Sequence, residues 1–170
     1  MEAVIKAISD CERKVGKIEL LTTDKAATEM TPKALIKLMM KGNSINKTIK
    51  KAMKNWEAHP VPPTDAQVDE ILLRIERIIE AEERQLTWAR NNKPKFDKFG
   101  LSGMVKINLT KNKNTAEVLS RLLLDNTPPA RMAEAQMLHK RSQESFKITM
   151  ALYSNATGGE EHEVSGHESD

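Results

Sequence analysis

Cysteine is almost absent from this chain, since Cys11 is the only one among 170 residues. A single thiol excludes a disulfide within the chain and a zinc site built from cysteines. Aromatic residues are also scarce, at 4% of the sequence, and there are only seven glycines. This composition, rich in Leu, Ile, Lys, Glu, Ala and Met, favours helices over a β-sandwich.

Long apolar runs are missing as well. No stretch reaches the length of a membrane span, and Glu2, Lys6 and Asp10 interrupt the N-terminal region where the apolar core of a secretory signal would lie. We therefore expect an intracellular protein, cytoplasmic or nuclear, that is not secreted and has no membrane span.

Sequence signatures of catalysis are absent too. The chain has no phosphate-binding loop, and residues 100–103 resemble a nucleophile elbow that is one residue short. Neither His59 nor His139 has a carboxylate at a spacing that suggests acid–base catalysis. His162 and His167 lie among glutamates that could collect zinc or nickel, but a disordered tail cannot fix a coordination geometry. We therefore expect no enzyme, and we predict no catalytic residue, no metal site and no cofactor.

Charge is distributed unevenly along the chain. Residues 158–170 hold five acidic residues and no Lys or Arg, which leaves 27 basic against 19 acidic residues in the first 157. The sequence thus predicts a basic folded domain over 1–157 and a disordered acidic tail over 158–170.

Within that domain, apolar periodicity and capping residues predict an all-α fold, a compact bundle of about six helices. Thr31 followed by Pro32 is a typical helix start, and Thr64 with Gln67 forms a capping box. Gly42 is placed to end a helix. The predicted order after the first helix is a basic αα-hairpin (31–58), a long amphipathic helix (64–91), a basic loop (92–113) and C-terminal helices (114–155).

Lysines without acidic neighbours are the most distinctive feature of the predicted hairpin. Seven like charges repel one another, and a polyanion relieves that repulsion, which is the physical basis of phosphate-backbone affinity. A plain solvated surface is the alternative. The lysines are Lys33, Lys37, Lys41, Lys47, Lys50, Lys51 and Lys54.

The predicted basic loop combines charges with aromatic rings. Such a mixture is typical of single-strand binding, in which cations contact the backbone and rings stack on bases. Alternatively, the two phenylalanines only pin the loop to the core. A short strand is possible at Val105, Ile107 and Leu109. The candidate binding residues are Lys93, Lys95, Phe96, Lys98, Phe99 and Lys106.

The long amphipathic helix has an apolar face broad enough for self-association. We therefore predict a homo-oligomer, and we expect exposed methionines to offer further surfaces to protein partners. The predicted oligomerisation residues are Val68, Ile71, Leu72, Ile75, Ile78 and Ile79, and the methionines are Met39, Met40, Met132 and Met137.

Taken together, these patterns predict a non-enzymatic, oligomeric nucleic-acid-binding protein that contacts phosphates and favours single strands. A basic body, an oligomerising helix and an acidic tail also suit a viral or phage packaging protein. The alternative is a helical, self-associating protein–protein interaction scaffold that binds no nucleic acid.

Overall fold

The computed structural model describes residues 1–22, 31–58 and 62–159. Within these ranges every regular element is helical, so the predicted all-α bundle of six helices is confirmed. A single 3₁₀ turn at Pro129–Arg131 precedes the last helix. The helices are α1 (Glu2–Glu19), α2 (Pro32–Glu57), α3 (Asp65–Asn91), α4 (Lys93–Lys98), α5 (Ser102–Asn126) and α6 (Met132–Leu152).

Two helices begin where the capping residues predict. The Thr31 hydroxyl accepts a hydrogen bond from the Ala34 amide at 3.3 Å, and Pro32 follows in the first turn. Thr64 forms the full capping box, because the Gln67 amide donates to its hydroxyl while the Gln67 side chain accepts from its amide. Both caps satisfy amides that have no partner inside the helix.

The predicted hairpin at 31–58 is wrong, because α2 continues through Gly42 as one helix of 26 residues. Leu38, Ile45 and Ile49 lie on one buried face on both sides of the glycine, so the apolar stripe stays in phase. A glycine inside a helix costs only about 1 kcal/mol relative to alanine, and burial of that stripe outweighs it.

The predicted basic loop at 92–113 is also wrong, and so is the helix start near Asn114. This region forms α4 and the first half of α5. Gly100 joins the two helices with a φ of 64°, a conformation that glycine adopts without steric cost. Val105 and Leu109, suggested as strand residues, are four apart on a buried helix face instead.

The five long helices form a closed ring. Helix α1 packs on α2 and α3, α3 packs on α6, α6 packs on α5, and α5 returns to α2. Contacts between elements give the directions: Glu12 pairs with Arg74 and Glu19 with Arg84, so α1 and α3 run parallel. Helix α6 runs parallel to both, since Arg141 pairs with Glu83 and Thr149 accepts a hydrogen bond from Arg90.

One end of the ring therefore gathers the last turns of α1, α3 and α6 with the first turns of α2 and α5. Short α4 packs against α3 and α5 at this end. Two clusters of buried side chains fill the interior, one at this end around Phe96, Phe146 and Tyr153, and a larger one around Trp56 and Leu72.

The face predicted to mediate oligomerisation is buried within a single chain. All six of its residues are at most 8% exposed, and Leu72 is fully buried. They belong to the larger core cluster together with residues of α1, α2, α5 and α6. This face is therefore occupied by the chain's own helices and offers nothing to a second copy.

The first two residues of the predicted acidic tail are part of the folded domain. Gly158, placed in the disordered tail by its sequence, accepts a hydrogen bond from the Met104 amide at 3.0 Å, and Gly159 is buried. The rest of the predicted tail, 160–170, and residues 59–61, which follow the predicted hairpin, lie outside the described residues. Of the helices described, none combines the length and apolarity needed to cross a membrane.

Candidate ligand cavity

A cavity of about 150 Å³ lies inside the ring of helices, where the two core clusters meet. All five long helices contribute to its wall, and α4 contributes Phe96. The apolar part of the wall consists of Val15, Ile18, Leu38, Met39, Ile45, Ile49, Ile78, Leu86, Phe96, Val105, Leu109 and Phe146. A cavity with a mainly apolar lining of this kind favours the apolar part of a ligand.

Small residues keep this space open. Gly42, Ala89 and Ala116 face it from α2, α3 and α5. A β-carbon added to Gly42 would meet nothing within 4 Å, although the residue sits in the middle of a packed helix. The same holds for Gly16 in α1, but Gly16 borders a shallow, charged surface cleft instead.

Most polar side chains in the wall have hydrogen-bond partners within the protein. The Asn46 amide donates to Asn112 at 2.7 Å and links α2 to α5. The Asn108 amide donates to the Met104 carbonyl, and the Gln85 amide donates to the Val15 carbonyl at 3.3 Å. These groups are thus held in place and present a mildly polar strip along an apolar wall.

Among the described residues that line the cavity, Glu82 alone has an ionisable side chain. The Ser142 hydroxyl donates to its carboxyl group at 3.4–3.5 Å, a weak contact. Burial is the main cause that raises the pKa of Glu82 to about 8; the hydrogen bond from Ser142 opposes the rise, and the neighbouring Glu83 adds to it. The buried Cys11 thiol lies near enough for Glu82 to add to the rise of its pKa, to about 12, which is caused mainly by burial. Glu82 is therefore largely protonated and uncharged at pH 7.

Trp88 carries a buried donor that no group in the described part of the chain satisfies. Its indole Nε1 is one of two buried side-chain polar atoms that lack a hydrogen-bond partner among the described residues, the other being Nδ1 of His139. The Trp88 ring lines the cavity and meets Phe96 edge to face at 5.6 Å. Buried indole N–H groups usually have an acceptor, so this residue of the cavity wall carries a donor that is available to a bound acceptor.

Tyr153 closes the core beside the cavity. It is fully buried, packs edge-on against Phe96, and donates its hydroxyl hydrogen to the Ala89 carbonyl at 2.8 Å. Burial raises the pKa of this phenol well above its usual range. The ring thus fixes both Phe96 and the small residue Ala89 that borders the cavity.

The seven lysines of α2 lie away from this cavity. All are exposed. They lie on the solvent side of one continuous helix and not on the two helices of the predicted hairpin. The lysines of the second predicted site are engaged locally: Lys93 binds Asp97 and lies 5.5 Å from the Tyr153 ring centre, and Lys106 donates to the Ser154 carbonyl. Lys95 also has an interaction partner, and Lys98 is exposed.

Phe96 was expected to stack on bases, but it is only 2% exposed. Phe99 is partly buried and packs against the same core cluster. The burial of both rings agrees with the alternative interpretation, in which the phenylalanines anchor this segment to the core. Of the methionines, Met39 lines the cavity, whereas Met40 and Met137 are about half exposed.

No family model matches this chain, and no curated protein matches it in sequence. Three solved structures share its fold. AfMP4p in complex with palmitic acid has a TM-score of 0.79 at 12% identity, over 88% of this chain and 97% of its own. Ligand-binding domain 2 of Penicillium marneffei MP1 protein, complexed with multiple arachidonic acids, has a TM-score of 0.78 at 16% identity, over 91% and 96%.

Ligand-binding domain 1 of the same MP1 protein, complexed with arachidonic acids, has a TM-score of 0.74 at 15% identity, over 87% of this chain and 94% of its own. All three structures of this fold hold a fatty acid. The prediction of an oligomeric, viral-type nucleic-acid-binding protein is wrong. The scaffold alternative fails as well, because its self-association face is buried in the core.

Proposed function

We propose that this chain is a non-catalytic binding protein that holds a single-chain lipid of the fatty-acid class inside its ring of helices. The apolar cavity enclosed by α1, α2, α3, α5 and α6 carries the proposal. Proteins of the same fold that hold palmitic or arachidonic acid support it. The compartment stays a prediction from the sequence.

The wall of the cavity suits an acyl chain. Each methylene group removed from water contributes about 0.8 kcal/mol, so affinity should rise about fourfold with each added carbon while the chain still fits. A site of this kind needs only one polar contact for orientation, since the apolar surface supplies most of the binding free energy.

The size of the cavity sets a further condition. At about 150 Å³ it compares with an apolar cavity that accepts a benzene-sized molecule, whereas ligand sites for larger molecules measure roughly 300–1,000 Å³. A long acyl chain therefore requires wall residues to move. Met39, a flexible side chain in the wall, is suited to such a movement. Affinity should stop rising with chain length where this adjustment ends.

The experiment compares two glycines that differ in their position relative to the cavity. Protein freed of lipid by denaturation and extraction is titrated calorimetrically with saturated fatty acids of 8 to 16 carbons. Gly42→Leu places a side chain in the cavity, whereas Gly16→Leu places the same side chain on the outer surface of α1. We expect Gly42→Leu to lose at least tenfold in affinity and Gly16→Leu to bind like the unaltered protein.

Two results would contradict the proposal. One is the absence of binding to every fatty acid in the series by a protein that retains its helical circular dichroism spectrum. The other is equal affinity of the unaltered protein and Gly42→Leu, which would place the bound lipid outside the cavity.

A further inference from the structure

The charge of the cavity wall limits which polar end a bound lipid can carry. Of the described residues that line it, none is a Lys, an Arg or a His, and the single ionisable carboxyl group belongs to Glu82. An ionised carboxylate buried there would have no counter-ion, and burial without one strongly disfavours the charged form.

Charges close behind the wall do not change this balance. A surface cleft on the outer side of Trp88 contains Glu80, Glu83 and Arg84. Arg84 forms an ion pair with Glu19, and Glu83 forms one with Arg141 of α6. The described side chains that act on the Glu82 carboxyl group, Ser142 and Glu83, are not cations.

Trp88 supplies the opposite kind of feature, a donor in need of an acceptor. Its Nε1 is buried and has no hydrogen-bond partner in the described ranges, and Trp88 forms part of the wall. An indole N–H donates one hydrogen bond and carries no net charge. It can therefore hold an uncharged oxygen, but it does not compensate for burying a full negative charge.

We propose that the cavity takes its lipid with an uncharged polar end, whose oxygen accepts a hydrogen bond from Trp88 Nε1. A fatty acid would then bind in its protonated form, and a fatty alcohol would serve equally well. This inference rests on the proposed function and deepens it, because it names the chemical form of the ligand and the group that orients it.

Titration with two ligands of equal chain length tests the charge. Dodecanoic acid and dodecan-1-ol are each titrated into lipid-free protein between pH 5 and 7, where Glu82, with a pKa of about 8, stays mostly protonated. A free carboxylic acid has a pKa of about 4–5 in water. If only its protonated form binds, the apparent Kd of dodecanoic acid rises about tenfold per pH unit, whereas that of dodecan-1-ol stays constant.

The two tryptophans of the chain test the hydrogen bond. Trp88→Phe keeps a ring against Phe96 and removes the donor, so we expect about a tenfold loss of affinity for dodecan-1-ol and no loss for dodecane, which has no acceptor. Trp56→Phe is the matched control, because Trp56 is buried in the other core cluster and does not line the cavity. It should leave both affinities unchanged.

The outcomes separate the two proposals. A Kd for dodecanoic acid that does not change with pH would overturn the uncharged polar end and leave lipid binding intact. Equal loss for dodecan-1-ol and dodecane in Trp88→Phe would overturn the hydrogen bond, since it would reflect packing alone. If neither the acid, the alcohol nor the alkane binds the unaltered protein, the proposed function fails and this inference with it.

Discussion

Replacing Glu82 with glutamine should make the protein more stable, by an amount that depends on pH. The pKa of this carboxyl group rises from an ordinary 4.5 to about 8 in the folded protein, mainly because it is buried. Between these values the folded chain keeps a proton that the unfolded chain releases. The free energy of unfolding therefore falls by about 1.4 kcal/mol for each unit of rising pH in this window, and the loss reaches about 3 kcal/mol at pH 7.

Glutamine has nearly the same shape, accepts a hydrogen bond from the Ser142 hydroxyl, and does not titrate. The gain from Glu82→Gln should thus be near zero at pH 4.5, grow to about 3 kcal/mol at pH 7, and level off above pH 8. An unsatisfied amide hydrogen in the variant would change its free energy of unfolding by the same amount at every pH. The test is therefore how the stability difference between Glu82→Gln and the unaltered protein changes with pH.

Urea unfolding followed by circular dichroism, at half-unit steps between pH 4.5 and 8.5, measures this difference. Glu144→Gln, on the exposed side of α6, controls for the loss of one negative charge. A difference between Glu82→Gln and the unaltered protein that stays constant from pH 5 to pH 8 would refute the claim that burial holds a proton on Glu82.

Two pairs of substitutions test how side chains pack in the folded chain. Gly42→Ala and Gly16→Ala should each raise the free energy of urea unfolding by about 1 kcal/mol, because both glycines are helical and an added β-carbon meets nothing within 4 Å; a loss of stability in either would contradict the open space beside it. Leu72→Ala should cost about 2–5 kcal/mol, since Leu72 is fully buried. The adjacent Leu73→Ala, at a residue that is 49% exposed, should change stability by less than about 0.5 kcal/mol in the same assay.

Local signals in the sequence were sufficient where a cap and an apolar stripe agreed. Thr31 and Thr64 begin helices in the structure as predicted, and the face of α3 is buried as a whole. Gly42 was misread because a glycine is a strong stop signal only when the apolar stripe also ends there. The stripe from Leu38 to Ile49 continues, and giving it more weight would have predicted one helix.

The cavity wall explains the failure at α5. The buried face of this helix includes Asn108 and Thr115 among its apolar residues, and Asn112 also faces the cavity. These polar side chains interrupt the apolar period, so the segment resembles a loop. The polar residues that face the cavity are thus the reason why α5 was not predicted as a helix. No pattern in the sequence indicates an empty space, because a cavity depends on which helices close the ring.

An open cavity lowers the stability of the protein that contains it. At about 24 cal/mol per Å³, a cavity of about 150 Å³ corresponds to roughly 3–4 kcal/mol, a large part of the 5–15 kcal/mol typical of a folded domain.

A lipid and a leucine at position 42 would recover this free energy from the same space, so their effects should not add. Lipid at one hundred times its Kd should raise the free energy of unfolding of the unaltered protein by about 2.7 kcal/mol. Gly42→Leu should be more stable than the unaltered protein without lipid and gain little when lipid is added. Full additivity would mean that the lipid and the leucine occupy different places.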